Sequence, residues 1–402
     1  MHANGKVAIL QAAPRYGGLP TELGWKIFLD RYTVKDPDRA FQPGDLALLP
    51  VVEDEKWGQK EIGQVLEVRG ETDTLVAKIL TGPDKGEVAE FRRIACDRPL
   101  ETSLDEVAQR IARAIAAVEP DDERRQRWEA EFSRVIRELR FVPGGRIWAG
   151  AGTGSELTLY NCYVIPSPHD SRHGIFQTLD QMAEIMARGG GVGINVSSLR
   201  PYRAPVRSVN GRSSGAVSWM KIYSYTTGLI EQAGARRGAL MLQLDCRHPD
   251  LLRFVTCKRE DGVPDEDGNV LDEDGKVRNA NISVRITDAF MEAVREDREW
   301  TFWFPDTTHP QYDEVWRGDF DDWEQRGLPK VVYATRPARE IWRAIVEAAW
   351  ASAEPGVVFV DRVEQESNAW YLHRLPCSNP CGEQMLPEWG VCCLGHVHLG
   401  RH

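Results

Sequence analysis

The segment GIFQTLDQMAEIMARGGGVGINVSSL, residues 174–199, contains the structural unit that recurs through most of this chain. It starts with a helical pattern, continues through the glycine turn GGGVG and ends in the strand-like run INVSSL. Such runs alternate over roughly 220 residues, which predicts a mostly parallel sheet covered by helices, either open or closed into a barrel. The other strand-like runs are NCYVI, ALMLQL, NISVRI, TFWFP and GVVFV, and the other helical runs are AVSWMKIYSYTTGLIEQ, PDLLRFVTC, DAFMEAVRE and REIWRAIVEAAWA.

A different pattern precedes this α/β region. Between Phe41 and Cys96, short β-like runs are separated by Gly, Asp and Pro turns, which predicts a small β-barrel or sandwich module. The flanking segments have helical patterns, so the β-module is an insertion, and Ser103 with Glu106 forms a capping box. The predicted parts are an N-terminal helical segment at 1–35, the β-module at 36–98, a helical domain at 99–145 and the α/β region at 146–402.

Composition and charge exclude several classes of protein. The chain has 402 residues, 42% of them hydrophobic and 28% charged, which is enough for a large core. The N-terminus lacks a long apolar signal region, and no stretch is uncharged over the roughly 20 residues of a membrane span. A net charge of -11 and a pI near 5.5 argue against general nucleic-acid binding, although the basic runs RPYRAPVR and GARRGA could hold phosphate groups. We expect a soluble, cytoplasmic protein that binds neither membrane nor nucleic acid.

Cysteines and histidines cluster in CSNPCGEQMLPEWGVCCLGHVHLGRH, residues 377–402, which holds four of the eight cysteines. The cytosol keeps thiols reduced, so such a cluster is metal-binding or reactive rather than a set of disulfides. Cys377 and Cys381 are separated by three residues, a spacing found in zinc sites. The residues alone leave zinc and a reactive thiol open. The candidate zinc ligands are His373, Cys377, Cys381, Cys392, Cys393, His396 and His398.

The whole string favours a reactive thiol, because it resembles a known family. SNPCGEQ, at Ser378–Gln384, followed by Gly390–Cys392 and Leu394–Gly395, is similar to the finger-loop signature of the adenosylcobalamin-dependent, class II ribonucleotide reductases. The resemblance covers about Phe141 to the end and extends to the helices outside the β-module. Its other motifs, in the family's order, are FVPGGRIWAGAG, YNCYVIPSPHDS, GIFQTL, RGGGVGINVSSLRP, GRSSGAVSWMKIY, GARRGALMLQLDCRHPDLLRFVTCK, NANISV and EPGVVFVDR.

The resemblance implies the first half of the family's ten-stranded α/β barrel, in which the finger loop lies between two half-barrels. The second half, which in the family holds residues for the substrate phosphates, and a C-terminal cysteine pair that recharges the active site have no counterpart in the sequence. We therefore expect a second polypeptide to carry the C-terminal half-barrel, or the chain to be truncated, and we expect the chain alone not to reduce ribonucleotides.

The resemblance also implies the catalytic residues. Cys381 matches the cysteine that carries a thiyl radical above the ribose. Glu383 matches the carboxylate that takes the 3'-hydroxyl proton, and Asn379 matches the residue whose amide binds the substrate hydroxyls. Cys162 and Cys392 match the pair that supplies electrons by closing to a disulfide, which must be reopened afterwards.

Binding partners follow from the same resemblance. The cofactor is adenosylcobalamin, and the reductant is an external thiol protein such as thioredoxin. The ribonucleotide substrate, a diphosphate or triphosphate, is expected to contact Asn161, Gly191 and Gly193. A deoxynucleotide effector is expected around Asp170, Arg200 and residues 201–211, while the loop containing Arg236 and Arg237 relays the signal to the substrate base.

Two other functions stay open from the residues: a zinc-binding interaction module, and an inactive regulatory subunit that keeps nucleotide binding. Cys96, Cys246 and Cys257 are expected to be buried small hydrophobes. The acidic run at 260–276 lacks the spacing of a calcium loop and is predicted to form a solvated hairpin.

Overall fold

The computed structural model describes residues 17–50, 60–206, 209–232, 236–259 and 276–402, with the backbone alone at 231–232 and 236–237. These residues form two compact units. The N-terminal unit contains the chain up to Leu159 together with Leu394–His402, and the α/β unit contains Tyr160–Cys393. The predicted acidic hairpin lies almost entirely outside the described residues.

Four antiparallel strands form a meander inside the predicted β-module. They are β1 (Leu46–Pro50), β2 (Lys60–Arg69), β3 (Thr74–Ile79) and β4 (Val88–Arg92). Their order in the sheet is their order in the chain. β1 is apolar on both faces, since Ala47 and Leu49 pack into the sheet's own core whereas Leu48 packs into the neighbouring helical core. The alternation of side chains along the strand therefore joins the meander to the helices of the same unit.

The helices of the N-terminal unit surround one apolar core. They are α1 (Glu22–Arg31), α2 (Leu104–Ala116), α3 (Asp122–Arg137) and α4 (Gly145–Gly150), and the short strand β5 (Phe141–Pro143) lies between the last two. The predicted capping box is confirmed: Glu106 N–H donates to Ser103 Oγ at 3.3 Å, and Ser103 N–H donates to Glu106 Oε2 at 3.0 Å. From this cap, Val107 and Ile111 of α2 follow one face into the core.

The α/β unit contains most of the remaining elements. Its strands are β6 (Cys162–Val164), β7 (Gly191–Asn195), β8 (Pro205–Val206), β9 (Gly211–Arg212), β10 (Glu231–Gln232), β11 (Arg236–Arg237), β12 (Leu240–Asp245), β13 (Asn281–Ile286), β14 (Glu299–Pro305), β15 (Lys330–Pro337), β16 (Gly356–Phe359), β17 (Cys377–Ser378), β18 (Met385–Leu386) and β19 (Val391–Cys392). Its helices are α5 (Arg172–Ala187), α6 (Ala216–Leu229), α7 (Leu251–Thr256), α8 (Asp288–Glu296), α9 (Tyr312–Val315), α10 (Phe320–Gln325), α11 (Ala338–Ser352) and α12 (Val360–Glu366).

A six-stranded sheet in the order β16-β13-β12-β7-β6-β19 is the centre of this unit. Strands β6, β7, β12, β13 and β16 are parallel and adjacent in chain order, and β19 is antiparallel to β6. Right-handed crossovers between parallel strands that follow one another in chain order place the connecting helices on one face. The other face is left free, as in a barrel wall. The half-barrel that the resemblance implies is confirmed.

The two faces of the sheet differ in what covers them. One face packs against the helices in the largest apolar core, with Val192 and Ile194 of β7 among its members. Residues of opposite parity point to the inner face, where Cys162 and Met241 lie in a smaller cluster with Cys377, Leu386 and Cys392. The inner face therefore receives the cysteine-rich segment rather than a helix.

One predicted strand has a different partner. TFWFP, within β14, was expected to continue the parallel alternation, but β14 pairs antiparallel with β15 in a separate two-stranded sheet. The reason is an aromatic core of its own, which the segment between the two strands completes. The core contains Trp303, Phe304, Tyr312, Trp316, Phe320 and Trp323.

The last strand, β20 (Gly395–Val397), pairs antiparallel with β5 within the N-terminal unit. Among the residues that the structure describes, no helix is both long enough and apolar enough to cross a membrane.

Candidate active site on the finger loop

The finger loop is a hairpin that presents Cys381 at its tip. β17 and β18 pair antiparallel, and between them the Asn379 N–H donates to the Gln384 carbonyl at 3.0 Å. The Gly382 N–H donates to the Asn379 carbonyl, also at 3.0 Å. Gly382 has a φ of +84°, a conformation that glycine adopts without strain. The turn leaves Cys381 exposed, whereas Asn379 is fully buried.

Polar side chains on the inner face of the sheet hold this loop. They come from β12 and β13, whose alternate residues pack into the helix-covered core on the other side. Each donates to the loop at a different height, so the loop is attached along its length. The contacts are Gln243 Nε2 to Ser378 Oγ at 2.9 Å, Asn281 Nδ2 to the Pro380 carbonyl at 2.7 Å and Arg285 Nη1 to the Pro376 carbonyl at 2.6 Å.

Two glycines of β7 leave room for the loop. A Cβ on Gly193 would overlap the carbonyl oxygen of Ser378, and a Cβ on Gly191 would lie 2.8 Å from Pro380 Cγ. Both glycines were predicted to lie against the substrate, with β7 starting only at Ile194. In the structure β7 already includes them, and their neighbours are finger-loop atoms; their contact with a substrate stays a prediction.

Cys162 and Cys392 face each other across two strands. They are directly paired in the antiparallel register of β6 and β19. Opposed residues in such a pair have Cα atoms about 4.5 to 5.5 Å apart, which lies within the range of disulfides. All eight cysteines lie among the described residues and all are free. The arrangement is that of a dithiol able to close reversibly.

The predicted catalytic groups form one electrostatic cluster. Burial raises the pKa of Cys162 to about 11, against a hydrogen bond from Asn379 Nδ2 at 3.7 Å that lowers the pKa. Burial and then the Glu383 carboxylate raise the pKa of Cys381 and of Cys392. These three thiols are therefore protonated at neutral pH, which keeps the S–H hydrogen available for transfer as an atom.

Asn161, predicted to bind substrate, precedes Cys162. Its backbone N–H donates to the Cys392 carbonyl at 2.9 Å. Its Oδ1 is buried, and no donor reaches it from the described residues. A buried acceptor without a donor is uncommon in folded proteins and suits a site that a ligand donor completes. The substrate contact itself stays a prediction.

Asp170 and Arg200, predicted to bind an effector, form an ion pair. Arg200 Nε lies 2.7 Å from Asp170 Oδ2, and the Arg200 backbone N–H donates to Asp170 Oδ1 at 3.0 Å. Tyr312, from the segment between β14 and β15, donates its hydroxyl to the same Oδ2 at 2.6 Å. The pair borders a cavity of about 630 Å³, which Arg172, at the N-terminus of α5, also lines. Part of the Arg200 charge is therefore already compensated by Asp170.

Arg236 and Arg237 lie in β11, which pairs with β10 through Gln232 and Glu231. Their side chains are outside the described residues, as are residues 207–208 of the predicted effector loop. The relay between the two sites stays a prediction.

The zinc alternative finds no support among the described side chains, in which no group of three or more His, Cys, Asp or Glu residues is arranged for a metal ion. Cys377 is buried against the sheet while Cys381 is exposed. Burial raises the pKa of Cys377 to about 12, which opposes the thiolate that zinc binds. Cys96, Cys246 and Cys257 are fully buried, as expected.

Several supporting residues were missed by sequence reasoning. Asn281 and Arg285 alternate with Ile282 and Val284 in NISVRI, so the period of two already places polar groups on one face. That signal predicts that the inner face of the sheet is polar, but it does not predict that the finger loop packs there. Tyr312 had no signal, because its contact with Asp170 depends on how the aromatic segment folds back.

Comparison with known proteins gives matches to two parts of the chain. Residues 160–402 match the family described as ribonucleotide reductase, barrel domain, and residues 92–156 match ribonucleotide reductase, all-alpha domain. The chain is 36% identical over 313 residues to the vitamin B12-dependent ribonucleoside-diphosphate reductase of Mycobacterium tuberculosis (strain CDC 1551 / Oshkosh), covering 76% of the chain and 39% of that protein.

Two further relatives extend the comparison. The vitamin B12-dependent ribonucleoside-diphosphate reductase of Thermoplasma acidophilum is 35% identical over 271 residues, covering 67% of the chain and 31% of that protein. The ribonucleoside-diphosphate reductase large subunit of Variola virus is 30% identical over 278 residues, covering 67% and 34%. The chain thus spans less than half the length of the relatives it matches.

We predict that Gly193→Ala destabilises the α/β unit. The added methyl group would overlap the Ser378 carbonyl, and overpacking of this kind typically costs ~1 to 3 kcal/mol. Denaturant unfolding of the full chain measures the change. Gly70→Ala is the control, since a Cβ there meets nothing within 4 Å. Equal stability of the two variants would contradict the close approach.

We also predict that Glu383→Gln lowers the pKa of Cys381, because the neighbouring carboxylate disfavours the thiolate. The rate of Cys381 alkylation, followed by peptide mapping, should then rise with pH earlier than in the parent. Glu388→Gln, at an exposed position, is the matched control. An unchanged or upward-shifted profile in Glu383→Gln would remove Glu383 from the cluster.

Proposed function

The chain belongs to the ribonucleotide reductase family, and from this we propose that it carries the radical, base and reducing residues of a class II, vitamin B12-dependent reductase. The observation that carries the proposal is the cluster at the finger-loop tip. Cys381 is exposed, Cys162 and Cys392 are opposed, and Asn379 reaches Cys162 from the loop itself. The names of the relatives favour ribonucleoside diphosphates as substrates.

The proposed reaction replaces the 2'-hydroxyl of a ribonucleotide by hydrogen. A thiyl radical at Cys381 takes a hydrogen atom from the ribose and later returns one. Glu383 accepts the 3'-hydroxyl proton, and the Asn379 amide holds the hydroxyls. Cys162 and Cys392 supply two electrons and two protons, so the hydroxyl leaves as water and the two sulfurs form a disulfide. An external dithiol protein, such as thioredoxin, then reduces that disulfide.

The tip suits a large radical cofactor, which we propose to be adenosylcobalamin. Among the described residues, a Cβ on Gly382 would meet only Met241 Cε, at 3.6 Å, so space remains beside the exposed sulfur of Cys381. When bound, this cofactor supplies a carbon-centred radical by homolysis of its cobalt–carbon bond. The chain presents the exposed Cys381 sulfur to the cofactor and holds Asn379 buried beneath the loop tip. The chemistry needs reducible thiols, so a reducing compartment such as the cytoplasm is part of the proposal.

The edge of the sheet supports a further half-barrel. Within the described residues β16 pairs only with β13, and Val357 and Phe359 on β16 are exposed. An apolar strand edge of this kind pairs readily with another strand. We propose that the complementary half-barrel joins here, supplied by a second polypeptide or by the same one.

We further propose that the cavity beside Asp170 and Arg200 binds a deoxynucleotide effector, with Arg236 and Arg237 on the relay loop. Support comes from Arg172 and the N–H groups at the start of α5, which favour anions. Since Asp170 already holds Arg200, a phosphate would compete with this ion pair. The loops would then respond to occupancy through a contact that breaks and reforms.

We expect Cys381→Ser to abolish turnover and any substrate-dependent radical signal in the chain complemented with the C-terminal part of a relative. Cys162→Ser and Cys392→Ser should block dithiol-driven turnover yet leave the radical start possible. Cys393→Ser, at the exposed neighbour of Cys392, is the control and should retain activity. Turnover assays and electron paramagnetic resonance separate these outcomes. Turnover by Cys381→Ser would refute the assignment.

For the effector site we expect Arg200→Ala to weaken deoxynucleotide binding about tenfold or more, because it loses a charge-assisted hydrogen bond worth ~1.5 to 3 kcal/mol. The rate without effector should stay within a few-fold of the parent. Arg188→Ala, at the far end of α5 and paired with Glu184, is the control. Unchanged effector affinity and substrate ranking in Arg200→Ala would place the effector elsewhere.

A further inference from the structure

Asn281 opens β13 and contacts the finger loop immediately before its reactive cysteine. Its Nδ2 donates to the Pro380 carbonyl at 2.7 Å. We propose that Asn281 is a positioning residue for Cys381, fixing the peptide group that leads into it. The proposal rests on the proposed function only in taking Cys381 as the radical cysteine.

The backbone geometry at Cys381 follows from two hydrogen bonds, one before it and one after it in the chain. The Pro380 carbonyl belongs to the peptide group that ends at the Cys381 nitrogen, and Asn281 holds it. The next peptide group includes the Gly382 N–H, which the Asn379 carbonyl holds at 3.0 Å. Each peptide group is planar, so fixing both leaves the Cys381 Cα, and with it the direction of Cβ, little freedom. Asn281 contributes the half of this restraint that comes from the sheet.

The carbonyl of Pro380 receives its hydrogen bond from outside the hairpin. Proline has no N–H, so Pro380 takes part in hydrogen bonding through its carbonyl alone. Pro380 is buried, while the backbone hydrogen bonds described above within the hairpin use the carbonyls of Asn379 and Gln384. The Asn281 amide satisfies the Pro380 carbonyl, which would otherwise lose an interaction on burial.

The register of the sheet explains why this residue reaches that carbonyl. Val164, Gly193, Met241 and Asn281 are successive partners in one row across β6, β7, β12 and β13. In this row Gly193 leaves room for the Ser378 carbonyl, and Met241 Cε lies 3.6 Å from the place where a Cβ on Gly382 would stand. Asn281 is the row's hydrogen-bond donor. The residues of this row therefore form the surface of the sheet against which the finger loop packs.

The side chain also suits substitution, because Asn281 is exposed and its loss leaves no cavity in the core. Asn281→Ala removes the donor, Asn281→Asp keeps the shape but cannot donate, and Asn281→Gln keeps a donor on a longer side chain. Asn368→Ala, at an exposed loop position after α12, is the matched control.

The first test measures amide hydrogen exchange of Gly382 in the full chain without cofactor or substrate, beside denaturant unfolding. We expect exchange about three- to tenfold faster in Asn281→Ala and Asn281→Asp, as for loss of one neutral hydrogen bond in a local opening. Asn281→Gln should return toward the parent, and Asn368→Ala should match it. Exchange within twofold of the parent in both donor-free variants overturns the proposal. Failure of both to fold also counts against it, since the residue would then serve the fold.

The second test uses the complemented enzyme. A displaced Cys381 should lower kcat several-fold and leave KM unchanged, because in the proposed role Asn281 contacts the finger loop and not the substrate. Asn281→Gln should partly restore kcat. Equal changes in kcat and KM would contradict the positioning role. An inactive parent enzyme would refute the proposed function instead, while the exchange measurement would still decide the role of Asn281.

Discussion

The finger loop can pack against the inner face of the sheet only because β7 has no side chain at Gly193. Ser378 approaches the backbone of β7 there so closely that a methyl group would overlap its carbonyl oxygen. This approach sets how closely the loop backbone lies against β7 at Ser378. Gln243, Asn281 and Arg285 then fix the loop at separate heights. A backbone contact between a strand and a hairpin thus determines the geometry of the candidate site.

Register determines the second part of the site. Cys162 and Cys392 face each other because β19 pairs with β6 at one specific alignment. A slip by one residue in either strand would turn one sulfur to the opposite face. Asn379, on the loop, contacts Cys162, on the sheet, so the two parts are held in common alignment. The cluster results from the register of the sheet together with the position of the loop above it. Neither can be predicted from the spacing of residues in the sequence.

The sequence predicted the α/β alternation, the β-module and the capping box because each depends on local periodicity or local hydrogen bonds. It misplaced TFWFP, since periodicity identifies a strand without its partner, and the aromatic core around Trp316 gave β14 a separate one. The resemblance supplied Cys381, Cys162 and Cys392 as candidates. The supports did not follow from it: Asn281 and Tyr312 act through contacts between residues distant in the chain, which only the folded arrangement specifies.

The opposed cysteines also affect the thermodynamic stability of the α/β unit. A bond between Cys162 and Cys392 would join the first strand of the sheet to its last and enclose roughly 230 residues, which by loop-closure entropy would penalise the unfolded chain by about 5 kcal/mol. Oxidation would thus stabilise the whole α/β unit against unfolding. In the proposed reaction this disulfide forms and is reduced in each turnover, so resistance to heat and to proteases would report the redox state of the dithiol.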